Sequence, residues 1–356
     1  MINSTYKSNN NPNPRGLSII ITTYNASDFI TETFNRLLQM QKVPDLPWEI
    51  IVVDNNSTDD TLKTVNSFQS TFPNLIVKNE AKQGVGFASL RGMQEAKYEY
   101  IGIIDQDNWV HANWMINSVT HMDNSPNAGI ICGKGIPVFE SNPPDWFMRF
   151  QNNFAVGEQS KQNGPAPNPD TFYYNAGCIM RKTPVNQIME AGFQPLLISR
   201  SEKRVLAGDD TEIQLLLRLL GWEIHYQGDI TFDHFMPNKR LSYKYFRDLR
   251  KGLGASSVYL NIYRIYSSNF ECGKKKKQTS WFQLLNQGLV NVIKDPLALI
   301  ASFHPKYASN YRVARYWSKL GEFEERLAIK SKYSIIYKKL FKWLDELVIL
   351  HSLHNF

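Results

Sequence analysis

The sequence is poor in cysteine and has no long apolar run. Its three cysteines, Cys132, Cys178 and Cys272, are far apart and form no Cys-x-x-Cys pair. This spacing supports neither a disulfide framework nor a thiolate zinc site, and it favours a reducing compartment. No stretch reaches the roughly 18 uninterrupted apolar residues that a membrane-spanning helix needs. Attachment to a membrane surface is therefore the one kind of membrane association that the sequence favours.

Acidic residues are in the minority, and the amino terminus has no apolar segment. The 40 Lys and Arg outnumber the 33 Asp and Glu by seven, an excess that suits a polyanionic partner. A phosphate-bearing donor, an anionic lipid surface or nucleic acid would each fit. Residues 1–15 are polar and do not resemble a signal peptide, so we expect a flexible tail there. Hydrophobic residues at 42% and charged residues at 21% exclude disordered and fibrous classes.

Apolar runs alternate with helical patterns in the first two thirds of the chain. The runs at 18–23, 49–53 and 100–104 are rich in Ile and Val, and each is followed by polar residues. Continuous apolar strands alternating with helices predict a mostly parallel sheet covered on both faces. Ligands of such sheets bind beyond the carboxyl ends of the strands. We therefore expect the polar residues that follow these three runs to converge on one site.

The pattern changes twice further along the chain. Residues 140–173 are rich in Pro, Asn, Gln and Gly, which predicts a long functional or mobile loop. After Pro237 the alternation stops, and helical patterns with basic and aromatic residues continue to the end. We predict an α/β domain over 16–237 and a helical region over 238–356.

Two carboxylates close the third apolar run. Asp105 and Asp107 are two residues apart, so both can approach one site if the chain turns after Asp105. Hard divalent cations such as Mg²⁺ and Mn²⁺ prefer oxygen ligands, and Mg²⁺ is usually held by one or two carboxylates plus phosphate oxygens. The motif fits a metal–diphosphate site, although the same spacing also occurs in turns and helix caps.

A second acidic cluster opens a predicted helix that stops at Gly221. Asp209 as N-cap, with Glu212 three residues later, predicts a capping box and gives part of this acidity a structural role. That explanation does not include Asp210. A carboxylate in the first turn of a helix can point into a cleft and act as a general base.

Other residues allow both a structural and a functional interpretation. His234 is either a packing residue or an additional metal ligand opposite Asp107. Arg91 is either a solvated arginine or a contact to a donor phosphate. Gly84 and Gly86 precede a helix without the strand and third glycine of the dinucleotide-binding fingerprint, so an oxidoreductase is not expected.

Taken in order, five segments of the chain resemble the inverting glycosyltransferases of family 2. The fold of that family is the GT-A nucleotide-diphospho-sugar transferase sandwich, an α/β fold. The segments are SIIITTYN at 18–25, IVVDNNSTD at 51–59, IIDQDN at 103–108, AGCIMR at 176–181 and GDDTE at 208–212. A looser likeness at 143–147 and 174–177 to the hormogonium-polysaccharide-type branch favours a polysaccharide product.

The resemblance implies a role for each matching residue. It assigns a divalent metal, Mn²⁺ or Mg²⁺, to Asp107 and His234. It assigns Asp210 as the catalytic base that takes the proton of the acceptor hydroxyl. The residues that it implies in nucleotide-sugar binding are Thr22, Tyr24, Asn25, Asp54, Asn55, Arg91, Asp105, Gln106 and Asp209.

Two positions depart from the family pattern. Many members have a second aspartate where this chain has Asn55, which puts the usual uracil contact, and so UDP as donor nucleotide, in question. The acidic motif of the family usually begins Glu-Asp, and here Asp209 shortens the first arm while keeping its charge.

The implied function is a hexosyltransferase-type enzyme that moves a sugar from a nucleotide-diphosphate sugar to an acceptor hydroxyl in cell-surface polysaccharide or glycan biosynthesis. It would work in the cytoplasm or peripherally on the inner face of the membrane. One alternative is a sugar-phosphate nucleotidyltransferase, which normally has a Gly-rich basic loop where this chain has 22–25. The other is a non-catalytic scaffold of the same fold, against which the intact carboxylates argue.

The C-terminal region also leaves two interpretations open. Segment 243–263 interleaves basic and aromatic residues, 274–277 is a lysine run, and apolar residues from 336 to 347 share one helical face. These surfaces either pack on the rest of the protein or rest on an anionic membrane that carries a lipid-linked acceptor. Nucleic-acid binding is not expected, because no base-reading motif accompanies the basic residues.

Overall fold

The structure is a computed structural model that describes residues 13–197, 207–272 and 280–354. Most of the predicted tail and the lysine run at 274–277 lie outside these residues. The strands are β1 Leu17–Thr23, β2 Trp48–Asp54, β3 Leu75–Asn79, β4 Tyr100–Asp105, β5 Asn108–Val110, β6 Ala128–Phe139, β7 Gly164–Pro165, β8 Ile179–Arg181 and β9 Glu223–Met236. The helices are α1 Ile30–Gln39, α2 Thr61–Ser67, α3 Val85–Glu95, α4 Trp114–Asn124, α5 Phe147–Phe150, α6 Lys182–Glu190, α7 Asp209–Leu219, α8 Tyr243–Cys272, α9 Trp281–Ile293, α10 Pro296–Ser302, α11 Tyr311–Ala328 and α12 Tyr333–His354.

The described residues form two compact units. The first consists of 13–138, 152–192 and 216–235, and the second of the described parts of 139–151, 193–215 and 236–354. The first unit holds most of the sheet, and the second holds the C-terminal helices. The predicted fold class, an α/β domain with a central sheet and a helical C-terminal region, is confirmed.

One sheet contains all the strands, in the order β3-β2-β1-β4-β8-β6-β9-β5, with β7 paired to β9. The three strands predicted from apolar runs are β1, β2 and β4, and β1 pairs in parallel with both of the others. β3 extends the parallel part beyond β2, whereas β8 joins β4 in antiparallel orientation. Every residue of β1 is buried, as expected of a strand covered on both faces.

The core explains why the sequence folds this way. Ile19, Ile21 and their neighbours on β2 pack under α1 and α4, whose Phe34 and Trp114 are fully buried. Burying a large apolar side chain contributes about 1.5–3 kcal/mol, so these residues hold the helices on the sheet. The segment 140–173 is largely loop, as predicted, and contains only α5, a short 3₁₀ turn and β7.

The faces of α8 and α12 on which the membrane interpretation rested are packed inside the second unit. Phe246, Ile262 and Tyr263 of α8 are buried, and so are Leu340, Leu344 and Leu347 of α12. The Trp343 ring lies against Phe193, with the ring centroids 5.6 Å apart. The apolar residues of these faces therefore form a helical core, as the packing interpretation expects.

Glu212 does not form the predicted capping box. α7 begins at Asp209 itself, and the Glu212 carboxylate turns inward. It accepts hydrogen bonds from the backbone N–H groups of Leu196 at 3.0 Å and Leu197 at 3.2 Å, and from the Tyr263 hydroxyl at 2.5 Å. Burial raises the pKa of Glu212 to about 7, against the opposing effect of these hydrogen bonds. Glu212 therefore ties the start of α7 to α8 and to the preceding loop.

The raised pKa makes the stability of the folded chain depend on pH. The folded state retains a proton that the unfolded state releases above about pH 4.5, so this contribution is present below pH 4.5 and is lost as the pH rises to about 7. Across this pH range the unfolding free energy of the wild type should fall by on the order of 3 kcal/mol because of Glu212. We expect this fall to be absent in Glu212→Gln. Urea denaturation at a series of pH values measures it. Glu346→Gln, at an exposed position of α12, serves as control, and a Glu212→Gln profile parallel to that of the wild type would contradict the assignment.

Two glycines bring α8 and α11 into backbone contact. A Cβ at Gly254 would lie 1.8 Å from the carbonyl oxygen of Ser318, and a Cβ at Gly321 would lie 2.0 Å from that of Lys251. Neither backbone can yield without moving a helix. The close packing of these two helices therefore requires glycine at both positions.

We expect Gly254→Ala to lower the unfolding free energy by about 1–3 kcal/mol, because the added methyl group pushes α11 away. Chemical denaturation followed by circular dichroism checks this. The matched control is Gly288→Ala on α9, where the nearest atoms belong to side chains, Arg326 Nη1 and Phe323 Cδ2, each at 3.3 Å. Equal stability losses in both variants would show that helix contact is not the cause.

Candidate active site

The ends of β1 and β4 are tied together by side chains from both. The Thr22 hydroxyl donates to Asp105 Oδ1 at 3.5 Å, a long hydrogen bond between residues paired in the sheet. The backbone N–H of Tyr24 donates to Gln106 Oε1 at 2.7 Å, and the Tyr24 ring is 38% exposed. Gln106 thus orients the loop after β1, and Tyr24 presents an accessible aromatic ring at this edge.

Asn25 joins the loop after β1 to the loop after β2. Its φ of 48° is in the left-handed region, which Asn adopts more readily than most residues. Its backbone N–H donates to the Ser57 hydroxyl at 3.0 Å, and its Oδ1 accepts from the N–H of Thr58 at 2.8 Å. Asn25 therefore has a structural role, because its hydrogen bonds hold the two loops together.

Asp54, at the end of β2, has one buried oxygen without a partner. Oδ2 accepts from the N–H of Ser57 at 3.1 Å, whereas Oδ1 has no hydrogen bond among the described residues although Asp54 is 1% exposed. The hydroxyl of Thr23, paired with Asp54 in the sheet, is likewise buried without a partner. Unsatisfied buried polar atoms cost about 1–3 kcal/mol each, so two together indicate a ligand contact.

Thr23 is not among the residues predicted from the sequence. It lies between Thr22 and Tyr24, and strand alternation places its side chain on the opposite face from theirs. Its position at the end of β1, level with Asp54, was the signal that could have identified it.

The side chain of Asn55 is used by its own loop. Its Nδ2 donates to the carbonyl oxygens of Glu80 at 2.8 Å and Lys82 at 2.7 Å, and its Oδ1 accepts from the N–H of Gly84 at 2.7 Å. Both N–H donors of the Asn55 amide therefore already form hydrogen bonds, and the side chain is buried. Asn55 therefore stabilises the conformation of the loop before α3.

Asp107 and His234 face each other, as the sequence analysis expected. His234 Nε2 lies 3.6 Å from Asp107 Oδ1, and both side chains are buried. β5 and β9 pair so that Asn108 is opposite His234, and the N–H of Phe235 donates to the carbonyl oxygen of Asp107 at 3.0 Å. The antiparallel pair thus brings together two residues that are far apart in sequence.

This pair matches the donor chemistry of a divalent-cation site. A carboxylate oxygen and an imidazole nitrogen 3.6 Å apart are close enough to bind one ion. Among residues 13–197, 207–272 and 280–354, no group of three or more His, Cys, Asp and Glu is arranged to hold a metal. The protein would therefore supply two ligands, leaving positions for phosphate oxygens and water.

The remaining predicted site residues lie elsewhere. Arg91 of α3 pairs with Glu95, with Nη2 2.7 Å from Oε1, and its Nε is buried without a hydrogen bond in the described structure. Asp209 and Asp210 belong to the second unit, in the first turn of α7, and both are partly exposed. The first unit thus brings together the residues after β1, β2 and β4 with His234, whereas the second unit carries the acidic pair.

The sequence of this chain matches the family described as Glycosyl transferase family 2 over residues 18–189. Over 139 residues it is 29% identical to a poly(ribitol-phosphate) beta-glucosyltransferase of Bacillus spizizenii, a match covering 36% of this chain and 22% of that protein. Over 91 residues it is 31% identical to a dolichol-phosphate mannosyltransferase of Pyrococcus furiosus, covering 26% of this chain and 25% of that protein. The chain thus spans about a quarter of the length of these curated relatives.

Among solved structures, the crystal structure of residues 1–349 of S. aureus TarS is similar, with a TM-score of 0.48 and 17% sequence identity. That match covers 88% of this chain and 92% of that chain. The family match at 18–189 includes the polar ends of β1, β2 and β4 from which the candidate site is built. The resemblance to glycosyl transferase family 2 is confirmed over residues 18–189.

Proposed function

We propose that the chain transfers a sugar from a nucleotide-diphosphate sugar to an acceptor hydroxyl of a cell-surface polysaccharide or glycan. The observation that carries the proposal is the Asp107–His234 pair, 3.6 Å apart at the edge of the sheet where β1, β2 and β4 end. The curated relatives support the substrate class, since the B. spizizenii protein is named for transfer of glucose to poly(ribitol-phosphate). The family match and these two relatives are all glycosyltransferases, which favours this reaction over a nucleotidyltransferase or a scaffold.

The donor nucleotide is proposed to occupy the ends of β1 and β2. The exposed Tyr24 ring offers a stacking surface for the base, and the buried Oδ1 of Asp54 can accept a hydrogen bond from an N–H on its edge. Thr23 Oγ1 lies at the same level and is also without a partner among the described residues. The side chain of Asn55 is already hydrogen-bonded to the backbone of the loop before α3. We therefore propose that Asp54, rather than Asn55, recognises the base.

The diphosphate and metal are proposed to occupy the end of β4. Asp107 and His234 would hold a divalent cation, which would offset the charge that develops on the departing diphosphate. Asp105, hydrogen-bonded to Thr22, would contact ribose, and Gln106 would keep the β1 loop in place. Arg91 would reach the phosphates only by leaving Glu95.

The acceptor hydroxyl is proposed to lose its proton to Asp210. The hydroxyl oxygen bonds to the anomeric carbon as the bond from that carbon to the diphosphate oxygen breaks, so one displacement inverts the anomeric configuration. Glu212 lies two residues after Asp210 and fixes the first turn of α7 through three hydrogen bonds. The Asp210 carboxylate would thereby be held in place. Asp209 would border the donor sugar in the same turn.

We expect Asp210→Asn to bind donor normally but to lose about 10²- to 10⁴-fold in turnover, the usual contribution of a general base. Isothermal titration calorimetry measures donor binding, and a transfer assay measures turnover. Asp248→Asn, a surface carboxylate of the same unit, is the matched control. Near-normal transfer by Asp210→Asn would refute its assignment as base.

Metal binding makes a separate prediction. We expect Asp107→Ala and His234→Ala each to raise the Mn²⁺ concentration needed for half-maximal activity at least about tenfold, because each removes one of two protein ligands. Direct Mn²⁺ titration by electron paramagnetic resonance in the presence of donor should show the same loss. His121→Ala, which removes a histidine paired with Asp229, is the control. Unchanged Mn²⁺ affinity in both site variants would exclude this metal site.

A product assay separates the proposed reaction from its alternatives. Incubation with a panel of nucleotide sugars and Mn²⁺, without acceptor, should give slow release of nucleoside diphosphate. Release of pyrophosphate from nucleoside triphosphate and sugar phosphate would instead identify a nucleotidyltransferase. Absence of both reactions across the panel would indicate a scaffold.

We also propose a lipid-linked acceptor and an anionic membrane surface as partners. No helix of the described residues is long and apolar enough to cross a bilayer. Since the faces of α8 and α12 are buried, membrane contact needs a different surface.

A further inference from the structure

Helices α9 and α10 carry an apolar face that nothing in the described part of the chain covers. Its side chains are more than 40% exposed, and Phe303 reaches 72%. We call it the 282–303 face, and its residues are Phe282, Leu289, Val290, Ile293, Leu297, Ile300 and Phe303. Large apolar side chains exposed in this number on two successive helices indicate an interaction site.

The inner sides of the same helices are packed, which shows that the outer face is not a product of loose folding. Ala298 of α10 packs with Val313 and Trp317 of α11, and Val292 of α9 joins this cluster. The Trp281 indole N–H donates to the carbonyl oxygen of Arg326 at 2.7 Å. Each helix is therefore held on α11 by one side and turns a second apolar side to solvent.

Helical spacing keeps each set of exposed residues on one side. Phe282, Leu289 and Ile293 are separated by seven and four residues, and Leu297, Ile300 and Phe303 by three and three. α9 has 13 residues and α10 has 7, too few to span the roughly 30 Å hydrocarbon core of a bilayer. Short helices with one apolar face suit the plane of a membrane interface.

The charged residues of the segment that carries the face are mainly positive. Residues 281–312 contain Lys294, Lys306 and Arg312 but only one acidic residue, Asp295. The Asp295 carboxylate is neutralised by Arg312, whose Nε and Nη2 lie 3.1 and 2.9 Å from its two oxygens. Lys294 lies between α9 and α10 and Lys306 follows Phe303, and both are exposed. An apolar face bordered by unneutralised lysines complements an anionic lipid surface.

We propose that the 282–303 face binds the surface of an anionic bilayer, with its apolar side chains among the acyl chains and Lys294 and Lys306 at the headgroups. Association with a second copy would instead bring the two lysine borders of a strongly basic chain towards each other. The inference specifies a surface for the membrane partner proposed above. It requires neither donor nor acceptor.

The test is vesicle flotation of the full chain, with neutral phosphatidylcholine vesicles compared with vesicles that also contain phosphatidylglycerol. The wild type should float with the anionic vesicles, and raising the salt concentration should weaken binding. The triple variant Ile293→Asn, Ile300→Asn, Phe303→Ser should bind at least about tenfold more weakly, because its lost apolar surface drives insertion. All three positions are exposed, so the fold should survive, and circular dichroism checks that it does.

The matched control places the same substitutions on α12. Ile335→Asn, Ile349→Asn and Leu353→Ser replace side chains of 55%, 58% and 66% exposure, close to the 62%, 65% and 72% of the test positions. This control should float like the wild type. Three results would overturn the proposal: a wild type that binds neither vesicle, a test variant that binds as the wild type does, or a wild-type dimer without vesicle binding that the test variant dissociates. Transfer activity measured on a soluble acceptor is independent of all three outcomes.

Discussion

The parallel pairing of β1 with β2 and β4 is the constraint on which the rest of the first unit depends. It places Thr22 opposite Asp105 and Thr23 opposite Asp54, so the three strands end at one level. A slip of one residue would turn each side chain to the other face of the sheet and separate these groups. The buried Ile and Val side chains on both faces hold the register, and the polar loops beyond them form the site as a consequence.

The second part of the site depends on an antiparallel pair. β9 runs beside β5, and this pairing brings His234 to Asp107 across more than a hundred residues of sequence. A cation between these side chains would place charge stabilisation beside the loops proposed to bind the nucleotide. Asp210 stands in a different unit, on a helix fixed by the buried Glu212, so the proposed base and the proposed metal ligands have separate structural supports.

Much of this arrangement could be predicted from the sequence, for identifiable physical reasons. Runs such as 18–23 and 49–53 predict buried parallel strands because they lack alternation, and the polar residues after them predict the site edge. Side-chain partners could not be predicted. Asn55 is consumed by three backbone contacts in its loop, and Glu212 turns inward to amides at 196 and 197 instead of capping α7. Helical periodicity likewise found the apolar face of α12 but could not show that the same unit buries it, or that α9 and α10 leave theirs exposed.

The central claim is that the level ends of β1, β2 and β4, completed by His234, hold a metal-bound nucleotide sugar. A crystal structure of the chain grown with Mn²⁺ and the donor selected by the substrate panel tests it most directly. We expect one ion bound by the Asp107 carboxylate and His234 Nε2 and by the donor diphosphate, with the base against Tyr24 and within hydrogen-bond reach of Asp54. Donor bound elsewhere, or an ion bound without contact to Asp107 and His234, would contradict it.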